Sequence, residues 1–386
     1  MGEQFGVHPP DAPDAEHTDS DRWDVDGLVT HAAQVRARSV RHVRSAPVPT
    51  ADRRLRTAII GLGRMGRFHL AALDDVASIE VVALAEPSDD ALARSHERCP
   101  NASAYRDVAT ALAHPGLEAC LVASPTPTHP AVVEAALGAG LHVLCEKPLA
   151  LDPGDADRLG ALADRSGLVL QVGFWRRFSP PWHAAKAAID AGRIGQPLLV
   201  RLAQWDAEPP PASFCDPAVS GGLAIDCGIH EYDLAEWLTG RRVVGVRAWS
   251  LPIVDDAVAA AGDVDNLLTV LRLDDGAMAS VDLSRNARFG DDVRTEVLGS
   301  SGAVFVDVLP SGRARLGDGS GIHDLPCSAA VDAMAAGVAA QAAAFAARVR
   351  GGDGDVPGAA TSARATRIGL AVIEAAHTGE DVGVGP

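Results

Sequence analysis

The hexapeptide Gly61-Leu62-Gly63-Arg64-Met65-Gly66 constrains this chain more than any other feature, because of what flanks it. A short apolar run, Thr57-Ala58-Ile59-Ile60, ends where the glycines begin, and residues 67–73 beyond them carry helical spacing. A lone G-x-G-x-x-G is weak evidence and could be a purely structural turn. Between a strand and a helix it gains meaning as a dinucleotide-binding loop. Gly61 makes the tight turn, Gly63 lets the backbone approach a pyrophosphate, and Gly66 allows close helix packing. Leu62, Arg64 and Met65 complete the loop, and the helix amino terminus offers unpaired N–H groups and a positive dipole end to phosphates.

Apolar runs of the same kind recur over residues 79–85, 117–123, 142–145 and 169–172. Between them lie stretches with helical spacing over 89–98, 130–139 and 153–164. Regular alternation of strand and helix predicts a doubly wound parallel sheet, with the cofactor at the carboxyl ends of its strands. Glu86 closes the second run about 20 residues past the glycines, where an acid accepts hydrogen bonds from ribose hydroxyls. A 2'-phosphate there would meet like charge, so NAD is expected ahead of NADP, although Arg64 and Arg94 are possible counter-ions for a phosphate.

The remaining chain divides around this unit. Residues 1–54 form an extension that opens polar and rich in Pro and Asp, too poor in apolar residues to offset its ordering entropy. Within it, residues 23–44 could support an Arg-rich helix; the bland reading of the extension is a surface-docked or partly disordered segment, the other a role in oligomer contacts. Residues 55–173 read as the dinucleotide-binding domain. From residue 174 onward the pattern changes to extended runs over 198–202, 243–249, 266–273, 277–283 and 295–298. Many alternate apolar and polar residues, which predicts a mostly antiparallel sheet with one covered and one more exposed face. Alanine-rich helices over 329–350 and 361–376 are expected to close this second, α+β domain of residues 174–386.

At 386 residues with 47% hydrophobic content, the chain is long enough for two cores, yet its apolar runs are too short for membrane spans. A net charge of −17 at pH 7 argues against nucleic acid and anionic membranes as partners. Small-molecule chemistry fits better. Six cysteines lie far apart without zinc-like spacing, so they read as reduced core thiols and no metal is expected. Arg53-Arg54 resembles a twin-arginine pair, but the apolar stretch after it is better explained as the first strand. The cytoplasm is the expected compartment.

Two further motifs carry chemistry. Cys145-Glu146-Lys147-Pro148 ends the run over 142–145, and Lys147 and Lys186 are the only lysines of the chain. A chain that uses arginine almost everywhere has kept lysine, with its tunable pKa, at a strand end facing the expected cleft. The bland reading is a surface lysine at a turn. In residues 220–233, Ser-Gly-Gly-Leu-Ala-Ile-Asp-Cys-Gly-Ile-His-Glu-Tyr-Asp, a helix entered after the glycines would align Asp226, His230, Asp233 and Trp237 on one face. Alone, D-x-x-x-H could be a capped helix or half of a metal site.

In this order the motifs resemble the glucose-fructose oxidoreductase and inositol dehydrogenase (Gfo/Idh/MocA) superfamily, from about residue 57 to 382. The resemblance also covers Ser124-Pro125-Thr126-Pro127-Thr128-His129 and Gly173-Phe174-Trp175-Arg176-Arg177-Phe178, and is nearest to the inositol dehydrogenases. It implies a catalytic set of Lys147, Asp226 and His230. Ser124, Thr126, His129 and Glu146 would line the nicotinamide side, and Trp175 and Arg176 would border the substrate pocket beside Asp226 and His230. It further implies a homodimer or homotetramer built through the open sheet. The extension of about 55 residues and the proline-rich segment 205–220 depart from the family's pattern and leave substrate identity open.

The expected reaction is oxidation of a secondary hydroxyl on a cyclitol or sugar by hydride transfer to nicotinamide. His230 is the natural base, its ordinary pKa of about 6.5 lying near working pH. Lys147 would stabilise the developing alkoxide, and Asp226 would orient the pair. A nucleotide-sugar or sugar dehydrogenase is the alternative, with Arg176 and Arg177 meeting an anionic group. A non-catalytic nucleotide sensor and an NAD-dependent glycoside hydrolase are minor ones.

Overall fold

The computed structural model describes residues 53–385 except 252, 310, 311 and 327–331. Residues 1–52 of the extension, with the possible helix over 23–44, and Cys327 lie outside the described residues.

The first unit follows the alternation of its sequence. In chain order it runs β1 (Leu55–Ile60), α1 (Arg64–Ala72), β2 (Ile79–Ala85), α2 (Asp89–Arg98), β3 (Ser103–Tyr105), α3 (Val108–Leu112), β4 (Ala119–Val122), α4 (His129–Gly138), β5 (His142–Cys145), α5 (Pro153–Ser166) and β6 (Leu170–Val172). The six strands are parallel in the order β3-β2-β1-β4-β5-β6. Every residue of β4 is buried, as a central strand covered by helices on both faces requires. Ser88 and Asp152 start α2 and α5 by accepting hydrogen bonds from Ala91 and Gly154 backbone N–H groups. β3 and α3 were not foreseen, because three and five residues are too few to display a period.

The second unit is built on a nine-stranded sheet. Its main elements are α6 (Pro180–Asp190), β7 (Pro197–Trp205), α7 (Gly222–Asp226), α8 (Gly228–Thr239), β8 (Val243–Ser250), β9 (Asn266–Leu273), β10 (Met278–Ser284), β11 (Asp292–Gly299), β12 (Ala303–Leu309), β13 (Arg313–Asp318), β14 (Gly321–Asp324), α9 (Ala333–Val349), α10 (Ala359–Thr378) and β15 (Val382–Gly383), with short helical turns at Ala212–Cys215, Pro217–Ser220 and Asp256–Ala260. The strand order is β14-β13-β12-β11-β7-β10-β9-β8-β15. β7 and β10 pair in parallel, and the other neighbours are antiparallel. Alternation places Val200, Leu202, Leu271, Val281 and Leu283 on the face covered by α6, α8 and α10. The opposite face carries Trp249, Leu268, Met278 and Leu298, all exposed.

The two units are joined by the alanine-rich helices. α9 sends Ala342, Phe345 and Ala346 into a core with Leu55, Ile59 and Leu70 of the first unit. α10 places Ala359 and Ala363 in the core of the first unit and Ile368, Val372 and Ala375 in that of the second. Small side chains let α10 lie close enough to α5 that a methyl on Gly160 would come within 2.8 Å of the Ala359 methyl. The two units are thereby fixed against each other, with the carboxyl ends of β1, β4 and β5 turned toward α7 and α8.

Gly66 shows how tightly α1 meets the glycine loop: a Cβ there would stand 1.9 Å from the Gly61 carbonyl oxygen. Gly66→Ala must push α1 away from the loop. The expected result is a loss of NAD affinity of at least roughly tenfold, or about 1.4 kcal/mol, measured by fluorescence titration. Unchanged affinity would mean that the loop does not bind the cofactor.

Candidate active site

Three strand ends converge. The loop after β1 holds the glycines, the loop after β4 holds Ser124 to His129, and the loop after β5 holds Glu146 and Lys147. The start of α1 has no capping side chain and no acid in its first turn, so its N–H groups are left for an anionic ligand. Glu86, at the end of β2 and nearly buried, accepts hydrogen bonds from Leu62 N at 2.8 Å and Ser88 N at 3.0 Å. Each carboxylate oxygen has two acceptor sites, so Glu86 holds the glycine loop and keeps lone pairs for ribose hydroxyls. These residues fit a dinucleotide.

The loop after β4 is pinned from within. Ser124 Oγ and Thr128 Oγ1 share a hydrogen bond of 2.7 Å, and Thr126 is buried in the turn between them. The His129 ring nitrogens lie 2.8 Å from the Pro148 carbonyl and 2.9 Å from the Ser124 carbonyl, tying this loop to the one carrying Lys147. Burial holds the His129 pKa below the ordinary imidazole value. Glu146 also turns inward: one oxygen meets His69 Nε2 of α1 at 2.5 Å, and the other accepts from Lys147 N at 3.2 Å. Burial works to raise its pKa, but His69 and Lys147 outweigh it and keep Glu146 below the usual carboxylate range. Both His129 and Glu146 therefore orient backbone around Lys147. His69 was missed in the sequence because its partner lies 77 residues away.

The helix expected over the glycines and the Asp/His pair is two helices, α7 and α8, interrupted at Cys227. The break separates the acid from the imidazole. Asp226 ends α7, and Lys147 Nζ donates to its Oδ1 at 3.0 Å and to its carbonyl oxygen at 2.6 Å. His230 lies in the first turn of α8, buried edge-on to Phe174 at 6.1 Å and Trp175 at 6.2 Å between ring centroids. Asp233 and Trp237, expected on the same stripe, engage Arg177 instead. Asp233 accepts from Arg177 Nε at 2.8 Å, and the Arg177 guanidinium lies 5.7 Å from the Trp237 ring.

The charges divide the roles. Burial raises the Asp226 pKa, yet Lys147 and Arg285 outweigh it and hold the carboxyl below the usual range, so Asp226 is a fixed anion. Burial, reinforced by the positive charges of Arg176 and Lys147, pushes His230 well below its ordinary value. It is a neutral imidazole at neutral pH, with Nδ1 buried and unpartnered. Arg176 is buried and ion-paired to Glu231 at 2.5 Å, with Gln204 Oε1 accepting from it at 2.6 Å. Trp175 is packed against Trp182 at 5.7 Å. A neutral base, an ammonium and a fixed carboxylate beside a nucleotide cradle suit the removal of a proton from an alcohol as a hydride departs.

A family model described as "Oxidoreductase family, NAD-binding Rossmann fold" matches residues 55–174, and one described as "GFO/IDH/MocA C-terminal domain" matches 182–305. Myo-inositol 2-dehydrogenase of Thermotoga maritima is 37% identical over 253 residues, 66% of this chain and 75% of that protein. The NAD(+)-dependent scyllo-inositol 2-dehydrogenase of Bacillus subtilis is 33% identical over 259 residues, 67% of this chain and 75% of that protein. The crystal structure of scyllo-inositol dehydrogenase from Lactobacillus casei, with bound NAD(H) and scyllo-inositol, matches with a TM-score of 0.76 and 27% identity, covering 86% of this chain and 99% of that one.

The buried imidazole makes stability depend on pH. The folded pKa of His230 is depressed relative to about 6.5 in the unfolded chain, so its stabilisation is complete above that pH and is lost as pH falls through the folded value. Urea unfolding of His230→Asn should show a shallower loss of stability just below pH ~6.5 than the parent protein. His129 and His142, also depressed, contribute slope of the same sign in both proteins. Identical slopes would mean that His230 is not buried neutral.

Proposed function

This chain belongs to the GFO/IDH/MocA oxidoreductase family, and we propose that it is an NAD-dependent dehydrogenase that oxidises a secondary hydroxyl of an inositol-like cyclitol. The observation that carries the reading is the contact of Lys147 with Asp226 beside a neutral, buried His230. The glycine loop at the start of α1 and Glu86 would hold a nicotinamide dinucleotide, which would supply the hydride acceptor. His230 takes the hydroxyl proton, which its neutral state allows. Lys147 donates a hydrogen bond to the same oxygen and stabilises the charge that develops there. Asp226 is too weak a base for the step, because Lys147 and Arg285 hold its pKa below the usual carboxylate range; it holds Lys147 in place. Phe174 and Trp175 exclude water around the imidazole, and Ser124, Thr126, His129 and Glu146 set the loops around the nicotinamide side.

Arg176 and Arg177 are engaged by Glu231 and Asp233, so neither is left to meet the phosphates of a nucleotide sugar. A cyclitol, which is uncharged, needs no such cation. In this reading Trp175 and Arg176 shape the pocket wall.

The protein assembles as a homodimer or homotetramer through the outer face of the nine-stranded sheet. That face exposes Trp249, Leu268, Met278 and Leu298, and its arginines lie over aromatic rings, as Arg294 does over Trp205 at 5.1 Å. No helix among the described residues is long and apolar enough to cross a membrane. The five described cysteines are unpaired, which supports a reducing compartment such as the cytoplasm.

NADH formation with a panel of inositols, sugars and nucleotide sugars tests the proposal, and a cyclitol with NAD is the expected substrate pair. Lys147→Ala should lower kcat by roughly 10²- to 10⁴-fold while NAD affinity changes less. Activity confined to nucleotide sugars would overturn the substrate assignment, and near-normal turnover of the variant would remove Lys147 from the mechanism.

A further inference from the structure

Arg285 follows the last residue of β10 and is wholly buried, yet nothing in the mechanism so far employs it. The alternation Ala279, Val281, Leu283 places position 285 on the covered face of the sheet, where a guanidinium is costly unless it is paired. Its NH1 donates to Asp263 Oδ2 at 2.7 Å, and its NH2 lies 3.5 Å from Asp226 Oδ2. Its Nε and NH2 make no hydrogen bond.

The two acids stand at opposite ends of one short helix. Both oxygens of Asp263 accept from Leu223 N, at 3.1 and 2.9 Å, at the start of α7. Gly222, with φ +68°, leaves room for that carboxylate, since a Cβ there would lie 2.5 Å from Asp263 Oδ1. Asp226 is the last residue of the same helix. We propose that Arg285 is a positioning residue for the dehydrogenation, gripping α7 at both ends and setting Asp226 Oδ2 so that Oδ1 meets Lys147.

The inference rests on the catalytic roles given to Lys147 and Asp226 above. Without Arg285, Lys147 would still be held by the Asp226 carbonyl oxygen, but the Asp226 carboxylate would lose the contact on Oδ2 and be free to turn Oδ1 away from the ammonium. The groups acting on Asp226 from the surrounding elements are Lys147 after β5, Arg285 after β10 and Arg64 at the start of α1, all positive. Asp206 after β7 opposes them, and burial raises the pKa of the adjoining Cys227 thiol. Removing one of two close cations leaves the carboxylate easier to protonate.

The test uses the full chain with Arg285→Gln, which keeps hydrogen-bonding capacity without charge, and Arg285→Lys, which keeps a charge that reaches one acid only. The readout independent of substrate is the ¹³C titration of the Asp226 carboxyl in aspartate-labelled protein, assigned through Asp226→Asn. Its midpoint should rise by about one pH unit in Arg285→Gln and by less in Arg285→Lys. With NAD and a cyclitol, Arg285→Gln should lose at least roughly tenfold in kcat, about 1.4 kcal/mol, with NAD affinity within about twofold, and Arg285→Lys should recover part of the loss. An unchanged Asp226 midpoint in either folded variant overturns the proposal. If Arg285→Gln does not fold, the midpoint in Arg285→Lys decides it. A parent protein inactive on every cyclitol would defeat the dehydrogenase reading, and the titration would still report whether Arg285 sets Asp226.

Discussion

A carboxylate held between two cations organises the site: Asp226 meets Lys147 through one oxygen and faces Arg285 with the other. Each partner arrives on a different part of the fold. Lys147 comes from the end of a parallel strand in the first unit, and Arg285 from the end of a strand in the second. The triad therefore forms only when the two sheets are set correctly against each other. The alanine-rich α9 and α10 do this by packing into both cores. Buried ions of this kind contribute little net stability, because desolvation offsets their attraction. Their value here is geometric.

The same electrostatics separates the neutral imidazole from the anion. Asp226 and His230 are four residues apart, yet one is kept charged and the other neutral. Asp226 has two cations within reach of its oxygens, whereas His230 is enclosed by Phe174 and Trp175 and feels the positive charges of Arg176 and Lys147. Environments that push two titratable groups in opposite directions allow distinct roles at one pH. The break at Cys227 lets Asp226 end one helix while His230 begins the next.

Much of this was legible in the chain. Short apolar runs alternating with helical stretches read directly as a doubly wound sheet, and β2, β5, α2 and β9 have the bounds their patterns suggested. Strands β12 to β15 escaped notice: β15 spans two residues, too few to show a period, and in β13 the alternation of Arg313, Ala314, Arg315 and Leu316 runs for four residues before Gly and Asp end it. Lys147, Asp226 and His230 stood out because their residue types are odd for their positions. Arg285 left a fainter trace, a charge on the buried parity of an alternating strand, and it became informative only beside Asp263 and Asp226.

By itself the sequence determined the elements and the chemistry available to them, because periodicity, glycine placement and residue type act over a few neighbours. It determined that a nucleotide cradle, a lone strand-end lysine and an acid and imidazole on one segment would exist. Which charges neutralise each other was decided by the tertiary structure alone. Arg176 and Arg177, free cations on paper, were taken up by Glu231 and Asp233, and Glu146 was turned toward His69. The reason is physical: Coulomb attraction and burial depend on distance through space, and residues 55, 77 or 79 positions apart become neighbours only once the sheets and helices have packed.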